Sequence, residues 1–134
     1  MANEKNREVF SWMKKADEDL RGAQVVMEAK PALIETALFH CQQAAEKAMK
    51  AFLTAHDMPF RKTHDLDELA VACEKIDASL KDVLDPARDL TVFAWEFRYP
   101  GSSSTPSEAE SYDAIALAEA VILAVRKHLA NMAE

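Results

Sequence analysis

The sequence predicts an all-α fold: an antiparallel up-and-down helical bundle of four long helices plus one short helix. Apolar residues recur at steps of three and four along most of the 134 residues, and nowhere alternate with the period of two that a half-buried strand needs. Gly occurs only twice, too seldom for the frequent tight turns of a β-sandwich. Asp, Ser and Pro stand at the seams between the periodic stretches, where helices start and stop.

After a polar N-terminal tail at 1–6, the first helix is expected over about 7–29, where Val9, Met13, Ala16, Leu20, Ala23 and Met27 share one face. The second, about 31–56, carries Ile34, Leu38, Cys41, Ala45, Ala48 and Phe52. Pro31 would occupy its first position, where a missing N–H costs nothing, and Pro59 lies beyond its end. The short helix, about 65–76, opens on Asp65-Leu66-Asp67-Glu68, a capping residue followed three later by Glu. A fourth is expected over 79–98, with Pro86 in its first turns and Pro100 stopping it. Ser107 and Glu110 repeat the capping signature before the fifth, 107–132. Residues 7–132 thus form one domain, and the Ser- and Pro-rich stretch 98–106 is a connector inside it.

Composition narrows the function. Asp+Glu number 23 against 16 Lys+Arg, a net charge of -7. Bulk attraction to nucleic acid or to an anionic membrane is not expected, so any such contact needs a local basic patch. The missing glycines remove every Gly-rich phosphate loop. Cys41 and Cys73 form no CxxC and sit on apolar stripes, the pattern of reduced, inert thiols. The polar start and the lack of a long apolar run predict a cytoplasmic protein with no leader and no membrane span. His40, His56, His64 and His128 show no paired metal spacing, so neither metal nor cofactor is expected.

Three groups of residues bear on chemistry. On the second helix His40, Gln43, Lys47 and Lys50 cluster nearly opposite the apolar stripe, with Glu46 four residues before Lys50. This is either a solvated face with one i,i+4 ion pair or a surface turned toward a partner helix or an anion. Next, Arg61-Lys62-Thr63-His64 leads into a helix start, whose free N–H groups favour an anion; His64 could equally hold the loop by hydrogen bonds. Last, Trp95-Glu96-Phe97-Arg98-Tyr99-Pro100 places an arginine between aromatics at a helix end, able to bind phosphate or to cap the helix.

The series Trp12…Ala16-Asp17-x-Asp19-Leu20, then Phe39-His40-Cys41-Gln42-Gln43-Ala44-Ala45-Glu46-Lys47-Ala48-Met49-Lys50, then Thr63-His64-Asp65-Leu66 and finally Arg98-Tyr99-Pro100, resembles the HEPN domain family of prokaryotes (higher eukaryotes and prokaryotes nucleotide-binding). The resemblance spans about 7–132. It implies a helical bundle, commonly a homodimer, often encoded beside a small nucleotidyltransferase in toxin–antitoxin-like gene pairs. Many such proteins are metal-independent endoribonucleases using an arginine followed after four to six residues by a histidine. Here Ser103, Ser104 and Thr105 follow Arg98 at that gap, and none is a base near neutral pH.

The leading expectation is therefore a dimeric binding module for a nucleotide, an RNA or a nucleotidyltransferase partner. Gln43, Lys47, Lys50, His64, Arg98 and Tyr99 would be its ligand-binding residues. An RNA-cleaving toxin using His64 and Arg98, with an atypical base, is one alternative. A purely structural dimerisation bundle is the other, helped by the apolar surplus at Phe39, Met49, Leu53, Phe93 and Trp95.

Overall fold

A computed structural model of the chain describes residues 2–96 and 106–133. Among them lie five helices, α1 (Ala2–Met27), α2 (Ile34–Ala55), α3 (Leu66–Ile76), α4 (Lys81–Ala87) and α5 (Glu108–Met132), and no strand. The all-α bundle is as the periodicity requires.

Its boundaries depart from expectation at three places. The polar stretch before Arg7 is helical from Ala2. Glu4 in the first turn suits the positive end of the helix dipole, and Lys5 Nζ is anchored on Asp57 Oδ2 at 3.1 Å. Pro31 lies in the α1–α2 connection and α2 starts only at Ile34; the Leu33 N–H donates to Val26 O at 3.0 Å and closes the turn first. The expected fourth helix is broken into a 3-10 segment Ala78–Leu80, the short α4, and a second 3-10 segment Arg88–Ala94. Pro86 lies inside α4 and has no N–H for the carbonyl four residues back, so the regular ladder fails and the chain tightens. Residues 97 and 98 of that expectation lie outside the described residues.

Both capping positions are occupied. Ser107 and Glu110 form the full reciprocal box on α5. Asp65 caps α3 by accepting from the Asp67 N–H at 2.9 Å, while Glu68 takes Arg61 Nε instead (2.7 Å).

α2 is the central rod. Leu38, Cys41, Ala45, Ala48 and Phe52 of its predicted stripe are buried, and so are Ala37, Ala44, Met49, Ala51 and Leu53 around it. α1 runs antiparallel to α2, joining Lys5 to Asp57 at one end and Asp19 to His40 at the other. α5 runs parallel to α2, since His56 meets His128 near both C-termini. α3 also runs with α2: His64 O accepts from Gln42, and Met49 O from Cys73 Sγ. Alternation therefore fails once, between α2 and α3, where the connection 56–65 carries the chain back along the bundle. The 3-10 segment Arg88–Ala94 returns beside α3, and Thr91 Oγ1 accepts the Leu66 N–H at 3.0 Å. No helix among the described residues is long and apolar enough to cross a membrane.

Candidate functional site

The polar stripe of α2 faces α1. Ion and ring contacts pair residue 5 with 57, residue 12 with 50, and residue 19 with 40 and 47. Each step of two turns along α1 matches two turns back along α2, the register of a shallow antiparallel crossing. Asp19 is the hub at one level: Oδ1 lies 2.9 Å from His40 Nδ1, and Oδ2 accepts from Lys47 Nζ. Lys47 is thus neutralised within the chain.

Beside this hub, and one turn beyond it, lies a buried polar cluster centred on Glu46, whose side chain is only 4% exposed. Its Oε2 accepts from Lys50 Nζ at 2.9 Å. Its Oε1 accepts from Gln42 Nε2 at 3.1 Å and lies 2.8 Å from His64 Nδ1. Gln42 uses both amide hydrogens and one of its two acceptor lone pairs: Nε2 also reaches His64 O at 3.0 Å, and Oε1 accepts from Gln43 Nε2 at 2.6 Å. Lys50, 7% exposed, lies 5.5 Å from the Trp12 ring centroid and 5.8 Å from that of Phe60. An ammonium this dry needs both a carboxylate and aromatic faces. The i,i+4 pair Glu46–Lys50 anticipated from spacing is present, but it is core and not solvated surface.

His64 is the outward-facing end of this cluster. Its side chain is 63% exposed although its anchor is buried. A carboxylate can only accept, so Glu46 fixes the hydrogen on Nδ1 and leaves Nε2 directed away from it. The loop-holding reading of His64 is met, since its backbone carbonyl and Nδ1 hold the loop, and among the described residues none bonds its outer nitrogen. This is the arrangement of an imidazole that binds or exchanges a proton with an external group.

The remaining candidates distribute as follows. Gln43 is half-buried and committed to Gln42. Arg61 lies on Glu68, and Lys62 is exposed beside His64. Arg98 and Tyr99 lie outside the described residues. Of the apolar surplus, Met49 and Leu53 belong to the monomer core, while Phe39 and Trp95 are exposed. Cys41 and Cys73 are buried, and burial pushes both thiols up to about 12, which makes them inert. Among the described residues no group of three or more His, Cys, Asp or Glu is arranged to hold a metal ion. Sequence reasoning did not assign Gln42, Asp19 or Trp12 a part, nor Glu46 its central one. The two-turn steps Lys5, Trp12, Asp19 on α1 were the available signal, since they complement Asp57, Lys50 and Lys47 in reverse order.

No curated protein and no solved structure matches the chain. The HEPN domain family model matches residues 9–128. That span takes in α1 through most of α5, with Gln42, Glu46, Lys50 and His64 inside it, and the chain belongs to the HEPN domain family.

Proposed function

We propose that this protein is a HEPN-type binding module, dimeric and cytoplasmic, that takes a phosphate of a nucleotide or RNA on His64 and works beside a nucleotidyltransferase partner in a toxin–antitoxin-like gene pair. The observation that carries the reading is the His64 imidazole, held at Nδ1 by buried Glu46 while its side chain is exposed. As imidazolium it would offer a charge-assisted donor to a phosphate oxygen. Lys62 stands two residues away and adds a local cation to an otherwise acidic chain. Arg98 and Tyr99, outside the described residues, enter this reading from the sequence series Arg98-Tyr99-Pro100 alone. The Thr91–Leu66 contact sets the 3-10 segment Arg88–Ala94 against the start of α3, which follows His64. Lys47 and Lys50 act at one remove in this reading: each neutralises a carboxylate, and Lys50 helps to keep Glu46 in place.

Calorimetric titration with a nucleoside monophosphate and with a short single-stranded RNA tests it. His64→Ala should weaken binding about tenfold or more, the worth of one charge-assisted hydrogen bond, at a temperature where the variant is folded. Unchanged affinity would remove His64 from the site. The carboxylate-held imidazole also favours a second reading, metal-independent RNA cleavage with His64 as the base. That reading predicts cutting of labelled RNA in EDTA by the wild type and none by His64→Ala.

A further inference from the structure

Away from this site the C-terminal ends of three helices converge on a chain of titratable groups. His56 caps the C-terminus of α2, Asp77 that of α3, and His128 sits near the end of α5. His56 Nε2 and His128 Nε2 are 2.8 Å apart, and His128 Nδ1 is 3.0 Å from Asp77 Oδ2. Asp77 Oδ1 is itself held by the Ser79 N–H (3.0 Å) and hydroxyl (2.6 Å). Both imidazoles lie against Phe52, with ring centroids 4.7 and 4.6 Å away, and both are partly withdrawn from solvent.

Two ring nitrogens at that distance require one hydrogen between them, not none and not two. With both rings neutral, His128 donates from Nδ1 to Asp77 and accepts at Nε2 from His56. A first proton is accommodated, because Asp77 compensates an imidazolium at His128 and His56 turns acceptor. A second proton sets two N–H groups and two positive charges face to face. We infer that the His56–His128 contact is a pH-sensitive latch, which holds the C-terminal turns of α5 on the end of α2 while the rings share one proton and releases them when both are charged.

The surrounding charges agree in sign. Facing His56 are His128 from α5, Lys5 from α1, Asp77 from the end of α3 and Asp57 from its own connection. Desolvation, then His128 and Lys5, holds its imidazole below the ordinary 6.5, outweighing the two carboxylates. A histidine lowered in the folded state binds fewer protons there than when unfolded. Its contribution to stability is therefore complete above about pH 6.5 and is lost as pH falls below that value toward the folded one.

Amide hydrogen exchange on the full chain, corrected for intrinsic rates, tests the latch. Protection of amides 126–130 should fall about tenfold between about pH 7.5 and pH 5, with amides 44–52 of α2 changing less. His56→Phe keeps a ring against Phe52 and cannot titrate, so its α5 protection should be flat over the same range. His56→Gln serves the same comparison if the phenylalanine variant does not fold. Flat protection in the wild type, or a variant that tracks the wild type, overturns the proposal.

Discussion

Glu46 shows how one side chain can be illegible in a sequence and central in a structure. Its neighbours at four-residue spacing, Gln42 and Lys50, suggest an ordinary surface ladder. Periodicity defines which residues share a face of α2 but not which other helix covers that face. Only the fold brings Trp12, Phe60 and His64 over it. The consequence is energetic. Glu46→Ala leaves the Lys50 ammonium buried and unpaired, at a cost of about 3–5 kcal/mol. Thermal unfolding should register a fall of roughly 10 °C or more. A loss within a degree or two would mean that Lys50 escapes to solvent and that the cluster does not fix His64.

At the level of elements, the sequence was most readable where local chemistry decides the outcome. The apolar stripes of α1, α2 and α5 and the caps at Asp65 and Ser107 are local, and each forms as spacing and hydrogen-bonding capacity dictate. The fourth element was misjudged because its apolar spacing is helical while Pro86 breaks the ladder from within. The return of the chain between α2 and α3 was equally hidden, since a loop's direction depends on what it packs against. Ser107→Ala removes one half of the α5 box and should cost about 1 kcal/mol, measured by denaturant unfolding. Because α5 carries His128 near its other end, that loss should leave the pH dependence of amides 126–130 unchanged.

Across the whole molecule, α2 is surrounded, and its small residues permit this. Ala37, Ala44, Ala45, Ala48 and Ala51 are fully buried, so neighbouring helices approach its backbone closely. Enlarging one of them should be worse than trimming a surface apolar residue. Ala48→Leu should destabilise by about 1–3 kcal/mol through overpacking, whereas exposed Val25→Ala should stay within about 0.5 kcal/mol. This rigid centre lets a carboxylate on α2 aim an imidazole borne by the following connection outward. The direct test is nitrogen-detected NMR of the four histidine rings during titration with a nucleoside monophosphate. The His64 Nε2 signal should move saturably while those of His40, His56 and His128 stay in place. Saturation of the protein with His64 unmoved would contradict the account.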